Sequence, residues 1–235
     1  REIARRLRVI TTSAGAPDAA RRLIDGSGLI HVHKVGGTRH AERAAAAGVD
    51  MLIASGYEAG GHTHTRPVHT FVLGPSVCRA VACPVILAGG IMDGRGLAAA
   101  LALGADAVAL GTRFVASHDN PDWHAHYAAR IIAANEGDDI VFQALYGPSR
   151  ALPSRAISEL ADLERDGTHS EEELTAFKDE RLIAAQRDGD MDGGILPAGQ
   201  VAGAIRDLVH VAEFVPGMVD EAIAQLQRIN ARIVA

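Results

Sequence analysis

The sequence predicts an α/β fold built on a parallel sheet, and three observations support this. Strand-type runs alternate with alanine-rich helical runs as far as about residue 115, which is typical of repeated βα units. Strands arrive about every 20 residues, a spacing that (β/α)8 barrels and open doubly wound sheets both produce. Each strand-type run ends in glycine or a small polar residue. Ligand chemistry is therefore expected at the loops beyond the carboxyl ends of the strands.

Five βα units can be placed in order along the chain. The strands are predicted at 8–12, 28–33, 49–55, 84–88 and 107–110, and the helices at 18–26, 38–48, 76–82 and 94–104. A long, mostly helical stretch is predicted after Phe114. Within it, Ser170 and Glu173 have the spacing of a capping box, and a terminal helix is predicted from about Val219.

Composition narrows the class of protein. A chain of 235 residues with 48% hydrophobic residues can bury a full core within one domain. The net charge of −6 comes without a basic stripe, so no nucleic-acid partner is expected. The longest apolar stretch, 96–111, is interrupted by Asp106 and is shorter than the ~20 residues of a membrane-spanning helix. Cys78 and Cys83 are predicted to be buried thiols, and without a visible secretory signal a cytoplasmic location is expected.

Two neighbouring strand ends are rich in glycine, at 88–90 and 110–112. Glycine lets the backbone approach an anion closely, and unpaired N–H groups at the start of a helix attract negative charge. Either cluster alone is equally well explained as a tight turn that the fold requires. Together and in register, the two clusters favour a phosphate site.

The segment 57–71, YEAGGHTHTRPVHTF, contains three histidines. His62 directly follows two glycines at a strand end, and an imidazole there is suited to proton abstraction near neutral pH. A surface-loop histidine is the competing interpretation. A third alternative is a zinc site formed by His62, His64 and His69, but no second set of ligands with metal spacing accompanies them. No metal site is therefore predicted.

Three motifs together resemble a known family. They are GYEAGGH (56–62), PVILAGGIMDGRGLAAALALGADAVALGTRF (84–114) and GDMDGGILPAGQVAGAI (189–205). In this order they resemble the nitronate monooxygenases, formerly called 2-nitropropane dioxygenases. The related flavin-dependent enoyl-acyl-carrier-protein reductases share most of these features. The resemblance extends from about Arg8 to the end of the chain.

The resemblance implies a (β/α)8 TIM barrel of the FMN-binding type that lacks its N-terminal βα units and has a helical cap after the last strand. Residues 1–114 would be strands four to eight of the barrel, 115–190 the cap or substrate lid, and 191–235 a segment and helix returning to the barrel. Five strands alone would leave two raw sheet edges. A preceding segment of roughly a hundred residues is therefore expected, because such barrels usually have about 250 residues.

The resemblance also implies roles for individual residues. His62 matches the family's catalytic base, and Lys34 would place a cation near the flavin ring, where it stabilises a reduced, anionic flavin. His64 stands where the family usually has glycine, so it would crowd the substrate mouth or act as a second proton carrier. The residues expected to contact FMN are Lys34, Ser55, Gly60, Gly61, Gly89, Gly90, Ala109, Leu110, Gly111 and Thr112.

The function implied by the resemblance is FMN-dependent oxidation of alkyl nitronates, or nitroalkanes, with O2 to a carbonyl compound and nitrite. One alternative is a flavin-dependent enoyl thioester reductase that uses NAD(P)H. A second alternative is a metal-dependent barrel using His62, His64 and His69. The apolar faces of the helical half suffice for a homodimer, and they are explained equally well by packing of the cap on the barrel.

Overall fold

The structure is a computed structural model that describes residues 6–145 and 147–234. In chain order its strands are β1 (Val9–Thr12), β2 (Ile30–Val35), β3 (Met51–Ser55), β4 (Gly61–His62), β5 (Val85–Ala88), β6 (Ala107–Ala109), β7 (Ile140–Ala144), β8 (Gly147–Leu152) and β9 (Leu196–Pro197). Its α-helices are α1 (Asp18–Ile24), α2 (Thr38–Ala46), α3 (Thr70–Ala80), α4 (Gly94–Ala102), α5 (Thr112–Val115), α6 (Ala125–Ile132), α7 (Arg155–Asp166), α8 (Glu171–Ile183) and α9 (Val211–Val234). There are also a π-helical turn, Ala184–Asp188, and a 3-10 helix, Gln200–Ala204.

The predicted parallel sheet is confirmed. Its five strands lie in the order β1-β2-β3-β5-β6, and every neighbouring pair is parallel. Helices follow the strands, so the chain has the α/β architecture that the alternation of runs predicted. Within the described residues β1 and β6 form the two edges of this sheet.

The two faces of the parallel sheet have different surroundings. One face packs on α2, α3 and α4 and forms the largest buried apolar cluster, which includes Val35, Leu52, Ala54, Val85 and Leu87. The strand register places Lys34, Ile53, Ser55, Ala88 and Ala109 on the opposite side, because side chains alternate along a strand. We call this opposite side the open face, since its side chains are only partly buried.

Helix α3 begins earlier than the sequence predicted. The prediction started at residue 76, beyond Pro75, whereas the helix starts at Thr70. Its first N–H is satisfied by Glu58, whose carboxylate accepts from Thr70 N at 3.0 Å. Leu73, in the first turns, is buried against the sheet. Pro75 lies inside the helix, where it has no N–H to donate to the preceding turn. Capping by Glu58 and burial of Leu73 together outweigh this cost.

Helix α9 also begins earlier than predicted, at Val211 rather than near Val219. Asp119 accepts from Val211 N at 2.6 Å, so a distant carboxylate defines the start of the helix. Met218 and Ala222 are buried, and their backbone lies close to Gly94 at the start of α4. No helix in the described ranges combines the length and the apolar character needed to cross a bilayer.

The second half of the chain contains an antiparallel sheet that the sequence interpretation missed. β8 pairs with β4, β7 and β9, so the prediction of a mostly helical stretch after Phe114 is wrong over 140–152. These strands are short, and β8 starts with glycine and proline, so they depend on tertiary pairing more than on local propensity. The capping box of Ser170 and Glu173 at the start of α8 is confirmed.

A buried polar cluster joins the edge strand β1 to β2. Thr12 Oγ1 lies 2.7 Å from His31 Nε2 and 2.7 Å from His33 Nδ1. Both histidines are buried, and the backbone N–H of His31 donates to Asp50 at 2.7 Å. This cluster lies on the helix-side face of the sheet, because His33 pairs in register with Leu52.

Candidate active site

The carboxyl ends of β2 and β3 open into a cleft of about 990 Å³. Its walls come from the segments 13–18, 33–36, 55–56 and 62–65 and from one face of α2. A cleft of this volume is at the upper end of the range for small-molecule sites. The position agrees with the expectation that ligands of a parallel sheet bind at the carboxyl ends of its strands.

The loop 56–62 that leads to His62 is held by the surrounding backbone. Gln200 N donates to Glu58 O at 2.9 Å, and the Glu58 carboxylate is itself fixed at the start of α3. A Cβ added at Gly60 would lie 2.6 Å from the backbone of Ala198 and Gly199. Glu58 and Gly60 therefore fix the path of the loop.

Arg150 holds the same loop from the antiparallel sheet. In the β4–β8 ladder, Gly61 lies opposite Arg150 and His62 opposite Ser149. The guanidinium of Arg150 donates to Tyr57 O at 3.0 Å, lies 4.7 Å from the centre of the Tyr57 ring, and forms an ion pair with Asp139. The side chains of Arg150 and Asp139 are only 4% and 6% exposed. A buried ion pair thus anchors the segment that presents His62.

His62 lies at the rim of the cleft in a positively charged environment. Partial burial lowers the pKa of its imidazole, and the ammonium groups of Lys178 and Lys34 lower it further. A lowered pKa keeps the ring neutral at pH 7, and the neutral ring is the form that accepts a proton. The cation from Lys178 comes from α8, so the helical half contributes to the electrostatics of His62.

Lys34 projects from the open face of β2 into the cleft, on the same face as Ser55. Burial lowers the pKa of its ammonium group. Within the described parts of the chain, Lys34 forms no ion pair or side-chain hydrogen bond. A partly buried ammonium without a carboxylate is unfavourable, so this position fits an anionic group of a ligand.

The glycines at the ends of β5 and β6 form an exposed backbone surface. Ala88 and Ala109 are paired across the two strands, and two residues further on Gly90 and Gly111 are exposed. Gly89 and Gly90 have φ angles of +96° and +74°, which glycine adopts without strain. A Cβ at Gly111 would meet nothing within 4 Å. A Cβ at Gly90 would lie 3.6 Å from the Glu58 side chain. The two strand ends are adjacent, as the sequence predicted, and open space borders the backbone at Gly111.

The other residues predicted to contact FMN have different positions. Ser55 lines the cleft, and Ala109 is on the open face. A Cβ added at Gly61 would meet nothing within 4 Å, so the backbone of Gly61 is open to a ligand. Leu110 packs against the helix-side core, which leaves only its backbone for a ligand. The Thr112 hydroxyl is buried and accepts from Gly199 N at 2.9 Å.

The three histidines of the segment 57–71 do not converge. His62 is in the β4–β8 ladder, the ring of His64 lies 3.2 Å from His40, and His69 Nδ1 lies 3.3 Å from the Glu58 carboxylate. Among residues 6–145 and 147–234 there is no group of three histidine, cysteine or acidic side chains arranged to hold a metal ion. The arrangement gives no support to the alternative of a zinc site.

Sequence reasoning missed the residues that support the loop from outside it. Asp139 directly precedes β7 and Arg150 lies within β8, in the stretch predicted to be mostly helical, and their ion pair depends on the antiparallel pairing of these two strands. The available signal was a single arginine within the short segment PSRAL (148–152). Lys178 gave no signal, because it lies on an amphipathic helix among other charged residues.

Comparison with known proteins identifies the family. The family model described as "Nitronate monooxygenase" matches residues 2–221. A curated relative is the (3aS,4S,5R,7aS)-5-hydroxy-7a-methyl-1-oxo-octahydro-1H-indene-4-carboxyl-CoA dehydrogenase of Mycobacterium tuberculosis. It is 33% identical over 88% of this chain and 69% of its own length.

Two solved structures resemble the whole described fold. FabK from Thermotoga maritima superposes with a TM-score of 0.88 and 34% identity, over 98% of this chain and 72% of its own. The nitroalkane oxidase of Streptomyces ansochromogenes has a TM-score of 0.76 and 28% identity, over 93% of this chain and 65% of its own. The agreement with these folds supports the barrel-type α/β class predicted from the sequence. The chain therefore belongs to the nitronate monooxygenase family, a family of flavin-dependent oxidoreductases.

Proposed function

We propose that this protein is an FMN-dependent oxidoreductase that oxidises alkyl nitronates, or nitroalkanes, with O2, and that His62 is its general base. One observation carries the proposal. His62 lies at the rim of a large cleft, its pKa is lowered by burial and by Lys178 and Lys34, and a buried ion pair fixes the segment that presents it. This is the arrangement that a base acting at neutral pH requires.

Residues of the cleft, together with the neighbouring ends of β5 and β6, support a site for a flavin mononucleotide. The exposed backbone at Gly90 and Gly111 leaves room for a phosphate at two adjacent strand ends. Lys34 has no carboxylate partner within the described residues, and its ammonium would balance negative charge at the edge of a flavin ring. Ser55, Gly60, Gly61, Gly89, Ala109, Leu110 and Thr112 complete the proposed contacts, Leu110 through its backbone only.

The protein's own groups supply binding and proton transfer. Bound FMN would supply the redox chemistry. His62 would take the proton from the carbon that carries the nitro group, which converts a neutral nitroalkane into its nitronate. Lys34 and Lys178 would attract the anionic nitro oxygens and would keep His62 neutral before the proton moves. The helical half, residues 115–190, would cover the substrate side as a lid.

Substitution of His62 tests the base. In His62→Asn, turnover of the neutral nitroalkane should fall by about 10²–10⁴, the usual contribution of a general base, while turnover of the preformed nitronate should fall much less. The measurement is kcat/KM for both substrates with FMN-supplied protein. Equal losses with the two substrates would remove the general-base role of His62.

A second candidate is an oxidoreductase of acyl thioesters, and a relative supports it. The Mycobacterium tuberculosis relative is named for a CoA ester substrate. The discriminating measurement is anaerobic addition of NADPH or of an alkyl nitronate to the flavin-loaded protein. Rapid bleaching by NADPH alone would favour the thioester candidate. Homodimerisation and a cytoplasmic location stay predictions.

A further inference from the structure

The cleft extends beyond the proposed flavin contacts along one face of α2. We call this extension the α2 groove, and its walls are the segment 13–18 and the α2-side residues His40, Arg43, Ala46 and Ala47. The α2 residues are three or four positions apart, so they lie on one side of the helix. From residue 40 to residue 47 the helix rises roughly 10 Å, which gives the groove the length of an extended chain rather than of a small anion.

The α2 groove contains one cation, Arg43, and one anion, Asp18. Arg43 lines it and, within the described residues, forms no ion pair and no side-chain hydrogen bond. His40 lies beside Arg43, and its ring is 3.2 Å from His64, which packs on the backbone of Gly36. Among the described residues that line the cleft, Asp18 is the one acidic residue. With Lys34 and Arg43 the cleft lining has more basic than acidic residues, whereas the whole chain carries 29 acidic and 23 basic residues.

Small side chains leave space for a ligand in the α2 groove. Ala14 and Ala16 from the loop and Ala46 and Ala47 from the helix all line the cleft, so the groove has apolar methyl groups in its walls. Ala14 has φ +60°, the one positive φ of a non-glycine residue within the described chain. Such a conformation costs of order 1–3 kcal/mol and is retained mostly where a site requires the shape of the loop.

We propose that the α2 groove binds the phosphate-bearing arm of an extended ligand, with Arg43 on the phosphate and the alanines along the arm. This inference rests on the proposed function in one respect: the reaction itself would take place at a flavin bound at the inner end of the cleft. A phosphate on a flexible arm belongs both to CoA-type thioester substrates and to nicotinamide dinucleotides. A free guanidinium with apolar walls recognises the chemistry that the two have in common.

Calorimetric titration of the FMN-supplied protein with coenzyme A, and separately with the oxidised dinucleotide NADP+, tests the groove without turnover. Arg43→Gln should weaken binding of the groove ligand at least tenfold, about 1.4 kcal/mol. Arg39→Gln is the matched control, because Arg39 is exposed on the same helix, also without an ion pair in the described residues, and does not line the cleft. Binding by Arg39→Gln should stay within twofold of the parent.

Ala46→Leu keeps every charge and fills the groove from an exposed helical position, so it should weaken binding without loss of the thermal transition. Binding of coenzyme A that depends on Arg43 and Ala46 assigns the arm to a thioester, and the same dependence for NADP+ assigns it to a dinucleotide. The inference is overturned if neither ligand binds, or if Arg39→Gln and Arg43→Gln weaken binding equally. Flavin absorption of the same samples reports separately whether the proposed function fails.

Discussion

The two sheets that meet at the cleft build their parts of the site in different ways. The parallel sheet offers backbone, with Gly90 and Gly111 exposed beyond two paired strands. The antiparallel sheet uses side chains, and the buried pair of Arg150 and Asp139 holds the loop of His62. Binding of the cofactor should therefore depend on the absence of side chains at these glycines. Proton transfer by His62 should depend on a single ion pair.

Removal of Arg150 should have the largest effect. Arg150→Met leaves the Asp139 carboxylate buried without a partner, which should cost about 3–5 kcal/mol of the free energy of unfolding. The loop at Tyr57 also loses its hydrogen bond from the guanidinium. Equilibrium denaturation measures the loss of stability, and kcat/KM of the folded fraction measures the effect of the lost hydrogen bond on activity.

Arg155→Met is the matched control for this prediction. Like Arg150, Arg155 forms ion pairs, in its case with Glu159 and Asp192, but its side chain is 54% exposed. Exposed pairs contribute only about 0–1 kcal/mol, so Arg155→Met should change stability little. Similar losses in the two variants would show that burial of the Arg150–Asp139 pair is not what anchors the loop.

Two glycine substitutions separate backbone packing from ligand binding. Gly60→Ala places a Cβ 2.6 Å from the backbone at 198–199 and should destabilise the protein by about 1–3 kcal/mol through overpacking. Gly111→Ala meets open space and should leave stability within about 0.5 kcal/mol of the parent. If Gly111 borders the phosphate, FMN affinity should fall in Gly111→Ala, as measured by fluorescence titration. Unchanged affinity would move the phosphate elsewhere.

The smallest predicted effect is a shift in pH dependence. Activity that needs neutral His62 rises with pH as the imidazole loses its proton. Lys178 lowers the pKa of His62, so Lys178→Gln should raise that pKa and move the acidic limb of kcat/KM to higher pH. Lys178→Arg keeps the charge and should leave the limb near its original position. A limb that moves equally in both variants would point to packing of α8 instead.

The sequence predicted the parallel sheet well because its inner strands β3 and β5 are apolar runs that end in serine or are followed by glycine. The adjacent ends at 88–90 and 110–112, which belong to β5 and β6, were expected from the order of the units. The starts of α3 and α9 were missed because Glu58 and Asp119, which satisfy their first N–H groups, are distant in sequence. Helix propensity alone does not contain such contacts.

The site was predictable where it depends on local sequence. The exposed glycines and the position of His62 at the rim of the cleft follow from strand ends that can be recognised along the chain. The roles of Arg43 and Arg150 were not predicted. Arg150 acts through its burial in an ion pair, and Arg43 through its lack of a carboxylate partner among the described residues. Both properties depend on folding. Composition counts charges, but it does not show which of them are neutralised.

The hydroxyl of Thr12 has a single proton to share between two buried imidazoles. It can donate to one ring and must accept from the other, so protonation of both rings would leave it between two donors. Burial lowers the pKa of His31 and of His33 below the usual 6.5. Their stabilising contribution is therefore complete above that pH and is lost as the pH falls. Since β1 pairs only with β2 among the described strands, mild acid should release this edge first, and its amides should exchange with solvent before those of the inner strands.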